Sequence, residues 1–261
     1  MAFLADTNVC SKWGSDPGVA KTWQAARTQL ESQGHSYVAC PLVLIELLAR
    51  LVKPEPKYFS KDLRSFLFLG ANVDKFLPFP GAFVLKTVLG VNCPVTALHP
   101  PDFNEMLQCV VSATSREAIS NGDVELPISS QLSYGLDFEK IRRPQEEGNK
   151  EYARIMSLRR RQGYLPTGAQ HAKGMLLNLG IIPVNGDVEA IANAVDAAYE
   201  YERFLLSNVG PDYDYSKHSI DWVDRQLLYY LADPDMHIVT NDWRVKHRCG
   251  RSSQSDRVIV I

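Results

Sequence analysis

Apolar and polar positions divide the chain into two ends that read as α/β and a middle that reads as helix. Phe3 to Asp6 is a short apolar run stopped by polar residues, which predicts a buried strand delivering Asp6 at its carboxyl end. Helical spacing runs from about Pro17 to Ser32. His35 to Pro41 is strand-like, and Pro41 to Leu51 predicts an apolar helix with proline in its first turn. Toward the C-terminus, Ile220, Val223, Leu227, Leu228 and Leu231 fall on one helical face, and Asp233-Pro234-Asp235 follows as a turn. His237 to Asp242 reads as a strand ending in a carboxylate, and Arg257 to Ile261 as a terminal strand. Short apolar strands alternating with helices point to a buried parallel sheet with helices on both faces.

From about Pro54 to Ser216 the pattern is mainly helical, broken at Pro78-Phe79-Pro80-Gly81 and His99-Pro100-Pro101, with Ala71 to Phe79 as a further strand candidate. No repeat or low-complexity tract interrupts it. The organisation this predicts is one α/β domain over 1–261. Its core comes from 1–53 and 217–261 with part of the middle, and a mainly helical insertion covers 54–216.

With 45% hydrophobic and 22% charged residues, the chain has ample apolar material for a core, which excludes disorder as the dominant state. Its 28 Lys+Arg against 30 Asp+Glu exclude a strongly basic nucleic-acid coat but allow a local basic groove. Cys10, Cys40, Cys93, Cys109 and Cys249 are scattered without a CxxC pair and read as reduced intracellular thiols. No long apolar run precedes Asp6, and no stretch of about 18 apolar residues occurs anywhere. Neither a signal peptide nor a membrane span is expected, and the cytoplasm is the expected location.

Four acids stand out by context. Asp6 and Asp242 end predicted strands, Glu46 lies inside the apolar helix Leu42 to Leu48, and Asp224 lies on the penultimate helix. Strand carboxyl ends converge on one edge of an open parallel sheet, where ligands bind, and neighbouring helices would add Glu46 and Asp224 from the sides. Carboxylates gathered in this way repel one another, so such a cluster persists when divalent cations neutralise it. Oxygen ligands without His or Cys select Mg²⁺ or Mn²⁺. The matching chemistry is metal-assisted phosphodiester hydrolysis, in which the ions activate water, orient the phosphate and stabilise the leaving oxygen.

On these residues the chain resembles a PIN-domain nuclease, the fold of many bacterial toxin ribonucleases of the VapC type. The resemblance rests on Asp6-Thr7-Asn8 after the first strand, on Glu46 in the apolar helix, and on Asp224 followed 18 positions later by Asp242. Thr240-Asn241-Asp242 is similar to the family's Thr-x-Asp strand end. It covers about 100 residues at the two ends. The resemblance implies a three-layer α/β fold with a central parallel sheet, and an endoribonuclease whose Asp6, Glu46, Asp224 and Asp242 bind Mg²⁺ or Mn²⁺. Thr240 and Asn8 would orient the site. A toxin-type member would cleave RNA and bind a small antitoxin protein, and a homodimer is compatible with the pattern. The chain is longer than the usual toxin-type member, a departure that bears on the toxin role more than on the fold.

Each residue also has a plainer reading. Asp6 and Asp242 suit turns or helix caps, and Glu46 suits an i,i+4 ion pair with Arg50. Asp221 shares a helical face with Asp224 and reads as a neighbour of the ligands or an N-cap. Arg244, Lys246 and Arg248, in a basic segment with His247 and Arg251, are candidate substrate contacts or a solvated loop. Arg159-Arg160-Arg161, with Lys150 and Arg154, reads as a solvated helix face, and a phosphate grip is the other reading. Trp243 reads as a packing aromatic, with base stacking as the alternative. Two further functions compete: a PIN-like RNA-binding or scaffold module with a degenerate site, and a haloacid-dehalogenase-type phosphatase. The phosphatase family has a second Asp where this chain has Asn8.

Overall fold

The apolar run at the N-terminus forms strand β1 (Ala2–Ala5), with Phe3, Leu4 and Ala5 buried. The computed structural model describes residues 1–51, 59–70, 75–91, 110, 138–210, 212–218 and 220–261. Strand β2 (Ser36–Ala39) lies parallel to β1 with Phe3 opposite Tyr37 and Leu4 opposite Val38. Strand β3 (Lys75–Phe76) lies parallel to β2 through Val38 opposite Lys75 and Ala39 opposite Phe76. Residues 71–74 of the strand candidate Ala71 to Phe79 lie outside the described residues. Strands β4 (Met236–Thr240) and β5 (Val258–Val260) are also parallel, with Val239 opposite Ile259. The fold is α/β, with a five-stranded parallel sheet. The near-continuous apolar strands follow from such a sheet, which leaves no wet face to alternate with.

Two compact units divide the chain. The first takes its described residues from Met1–Pro78, Thr96–Gln145 and Ile261. Within it, helix α1 (Thr7–Trp13) follows β1 after a single residue. Helix α2 (Pro17–Ser32) starts where Asp16 accepts the amides of Gly18 and Val19, with proline preset in the first turn. Helix α3 (Pro41–Leu51) buries every residue from Pro41 to Ile45, so it belongs to the interior and not to an amphipathic surface. Helix α4 (Phe59–Gly70) packs on α1 and α3. Trp23 of α2 is the hub of an aromatic core, its ring centroid 6.0 Å from Phe3, 5.5 Å from Tyr37 and 5.0 Å from Phe68.

The second unit comprises the described residues of Phe79–Val95 and Glu146–Val260. Helix α5 (Pro80–Val84) runs on into a π-helical turn over Leu85–Leu89, closed by Gly90 at φ 68°. Most of helix α6 (Phe138–Arg161) follows, then α7 (Gly168–Asn178), α8 (Asn185–Ala194) and α9 (Asp196–Asn208). Thr167 and Gln170 form a reciprocal capping box at the start of α7. Helix α10 (Ile220–Leu228) passes into a 3₁₀ turn over Tyr229–Ala232, and α11 (Trp243–Arg248) lies between β4 and β5. Helix α9 packs on both α10 and α11 and so supports the carboxylates they carry. Buried Gln254 accepts the Ala197 amide at 2.9 Å and donates to the Ala194 carbonyl at 2.8 Å, fastening the C-terminal segment to the α8–α9 junction. Among the described residues no helix is long and apolar enough to cross a membrane.

Candidate functional site

Asp6 follows β1 directly and stands ahead of α1, with only 4% of its surface exposed. Helix α1 is closed by the Asp6 backbone carbonyl, which accepts the amides of Val9 and Cys10. Its carboxylate makes no cap hydrogen bond. Oδ2 instead accepts from Asn8 Nδ2 at 2.7 Å. Burial, and then the negative charge of Asp6, hold the Cys10 thiol well above its ordinary range. Between Asp6 and Asn8, the Thr7 hydroxyl donates to Glu46 Oε2 at 2.6 Å, joining α3 to the segment that carries Asp6. Glu46 Oε1 accepts from Arg50 Nη2 at 3.2 Å, the i,i+4 pair of the plainer reading. The first unit therefore ties Asp6 to Asn8 and Glu46 to both Thr7 and Arg50.

In the second unit the helical face of α10 brings Asp221 and Asp224 inside, 1% and 5% exposed. Both meet Tyr201 of α9. Its hydroxyl donates to Asp224 Oδ2 at 2.9 Å and stands 3.4 Å from Asp221 Oδ1. Arg248 Nη1 donates to the same hydroxyl at 2.7 Å and to Asp221 Oδ1 at 2.6 Å, and the Tyr213 hydroxyl donates to Asp221 Oδ2. Burial, then the charges of Asp224 and Asp221, push the Tyr201 hydroxyl well above its ordinary range, so it remains a protonated donor. Arg248 is thus spent on Asp221 and Tyr201.

Asp242 follows β4. Its carboxylate caps α11 by accepting the Arg244 amide at 2.9 Å and binds the Arg244 guanidinium, with Nε 2.9 Å from Oδ1 and 3.0 Å from Oδ2. The Arg244 side chain holds Asp242 below the usual carboxylate range; burial opposes this and the Arg244 amide assists it. Thr240, fully buried, accepts the Asp242 amide on Oγ1 at 3.0 Å and sets the turn out of β4. Lys246 is half-buried on the same short helix. Among the described residues, no group of three or more His, Cys, Asp or Glu side chains stands together as a ready metal cradle.

Two sequence expectations change here. Arg159 does not lie on a solvated face: it is ion-paired to Glu202 of α9, which is 1% exposed. Arg160 donates to the carbonyls of Val209 and Gly210. Trp243 is not a packing aromatic, because 63% of it faces solvent. Tyr201, Tyr213 and Glu202 escaped the sequence reading, and Thr7 entered it only within Asp6-Thr7-Asn8, without its bond to Glu46. Glu202 carried a usable signal, an acid set among Tyr201, Phe204 and Leu205, of the kind that singled out Glu46. The hydroxyls carried none, since a tyrosine on a buried face looks the same with or without a carboxylate beside it. Comparison with protein-family models, with curated proteins and with solved structures finds no match to this chain.

Proposed function

We propose that the chain is a Mg²⁺- or Mn²⁺-dependent endoribonuclease of PIN type, with Asp6, Glu46, Asp224 and Asp242 as the metal ligands. The observation that carries the reading is Asp6: a carboxylate at a helix-cap position, 4% exposed, whose side chain does not cap. Asp6 is not buried to begin a helix; its Oδ2 is held instead by Asn8 Nδ2 at 2.7 Å. The position also suits the role, because ligands of parallel sheets bind beyond strand carboxyl ends. Asp6 follows that end of β1, and Asp242 that of β4.

By donor type the candidates suit a hard divalent cation, although among the described residues they do not stand together as a ready cradle. The candidate ligands are all carboxylate oxygens, and one of them, Asp224, shares the Tyr201 hydroxyl with one further buried carboxylate, Asp221, whose charge Arg248 answers. When bound, such an ion supplies the charge that phosphodiester hydrolysis needs at the scissile phosphate. The chain's own groups orient the ligands. Asn8 directs Asp6 Oδ2, Thr7 directs Glu46, Tyr201 directs Asp224 and Thr240 sets the Asp242 turn. Toxin activity against cellular RNA, with a small antitoxin as partner, is the biological setting this reading suggests.

The reading requires each of Asp6, Glu46, Asp224 and Asp242 to contribute to Mn²⁺ binding. Mn²⁺ affinity, by calorimetry or electron paramagnetic resonance, and cleavage of a labelled RNA test it in Asp6→Asn and Asp242→Asn. Each substitution is expected to abolish cleavage and to weaken Mn²⁺ binding on the order of 10–100-fold or more, with thermal melting retained. Metal-free cleavage, or undiminished Mn²⁺ affinity in Asp6→Asn, refutes it. A second reading, an RNA-binding module without catalysis, is favoured by the occupation of Asp242 by Arg244 and of Glu46 by Arg50. RNA binding with no metal-dependent cleavage would select it.

A further inference from the structure

We propose that Trp243, backed by His247 and Phe204, is a stacking platform for an unpaired nucleobase, so that the substrate is single-stranded RNA. The proposal rests on the nuclease reading only for its biological meaning; the platform itself stands on geometry within the second unit.

Trp243 opens α11 immediately after Asp242, and with 63% of its surface in water it is far from the buried state an indole normally reaches. The helix does not need it for docking. Val245 and Cys249, 3% and 0% exposed, anchor the inward face of this segment. Trp243 and His247, four residues apart, share the other face, with ring centroids 5.4 Å apart and planes inclined at 53°. His247 in turn stands edge-on to Phe204 of α9 at 5.2 Å and 74°. The three rings form a row from the outer edge of α11 to the supporting helix, and the exposed end of that row is the indole.

Charge identifies the occupant. From Trp243 to Arg251 the chain carries Arg244, Lys246, Arg248 and Arg251 and no acid; Arg244 and Arg248 are paired to Asp242 and Asp221, which leaves Lys246 and Arg251 to meet phosphates. The Arg244 side chain is 56% exposed beside the indole while its head group holds Asp242. An aromatic plane with cations and no acid along its segment suits a base flanked by phosphates. A protein partner docking by hydrophobic burial would instead meet one indole in a cationic segment. Stacking needs the π-face of the base, which a duplex keeps covered, so the platform selects unpaired nucleotides.

The test is fluorescence anisotropy of labelled single-stranded oligoadenylate, and of its duplex with oligouridylate, against the full chain in EDTA. Wild type, Trp243→Ala and Trp243→Phe are compared, each checked by thermal melting. Wild type is expected to bind the single strand more tightly than the duplex. Trp243→Ala should lose affinity for the single strand on the order of tenfold, and Trp243→Phe should recover most of it by keeping a ring. Equal binding by wild type and Trp243→Ala overturns the proposal, as does a loss that Trp243→Phe fails to recover. Absence of RNA binding, with or without Trp243-dependent self-association, overturns it too. Because no metal is present, a wild type that stacks RNA here yet cleaves none with Mn²⁺ fails the nuclease reading alone.

Discussion

Glu202→Gln is the substitution that most directly probes how the acids of α10 are held. Glu202 is 1% exposed and is answered by Arg159, by Arg225 Nη1 at 2.5 Å and by His171 Nδ1 at 3.7 Å. Arg225 lies next to Asp224 in the chain, and its guanidinium also covers the Tyr152 ring at 4.8 Å. The Glu202–Arg225 pair is therefore a lock between α9 and the helix that presents Asp221 and Asp224. The glutamine keeps the shape but removes the charge and turns a donor toward guanidinium donors. Losing one partner of a buried pair costs about 3–5 kcal/mol, and the lower end applies because Arg159 is a quarter exposed and can rehydrate. Against a typical total of about 5–15 kcal/mol, that is a large share. Burial alone would raise the Glu202 carboxyl, but Arg225, His171 and Arg159 outweigh it and hold the group well below the usual carboxylate range. A depressed folded-state value means that the stabilisation is complete above the unfolded value of about 4.3 and fades as pH falls toward the folded one. Urea unfolding at neutral and acid pH is the assay, with the wild-type advantage full at neutrality and shrinking in acid. A loss under about 1 kcal/mol at neutral pH, within the range of ordinary surface substitutions, would refute the lock.

Tyr201→Phe removes the hydroxyl shared by Asp224 and Arg248; Mn²⁺ affinity should fall on the order of tenfold while the melting profile stays cooperative, and unchanged affinity would show that Tyr201 does not position Asp224. Arg244→Gln should raise the Asp242 carboxyl toward the ordinary carboxylate range, since the Arg244 side chain is the first cause of its depression; a carboxyl titration by nuclear magnetic resonance checks the shift, and an unmoved resonance contradicts the pairing. Trp23→Ala should cost about 3–5 kcal/mol, because the indole is 2% exposed and touches Phe3, Tyr37 and Phe68; denaturant unfolding measures it, and a loss below about 1 kcal/mol would show that the aromatic core can collapse around the gap.

Local periodicity carried the elements well wherever one face of the chain is apolar. Helices α2 and α3 begin and end where spacing and proline put them; β2 and β5 lie within the runs that predict them, and β1 and β4 each begin one residue earlier and end before the predicted carboxylate. The shared face of Asp221 and Asp224 was legible for the same reason. Helix α1 was not, because Thr7–Trp13 is only seven residues with β-branched Thr7 and Val9 and no repeating apolar face. The predicted helix through Leu231 tightens into 3₁₀ over Tyr229–Ala232, a change in hydrogen-bond register that side-chain spacing does not report.

Charge partners were the least legible part of the site. Glu46 with Arg50 is one turn apart and was readable, whereas Thr7 with Glu46, Arg159 with Glu202 and Arg248 with Asp221 join residues 39, 43 and 27 positions apart. Their geometry exists only after the helices pack. The sequence by itself determined the carboxylates, the strands that precede Asp6 and Asp242, and the parallel α/β architecture, since these follow from residue type and spacing along a few neighbours. Tertiary structure decided that Asp6 is buried without capping, that Tyr201 and Arg248 hold Asp221 and Asp224, and that Trp243 faces water. Burial and pairing are set by which distant segment fills the space beside a residue, and here Val245 and Cys249 filled the inward face that Trp243 would otherwise have taken.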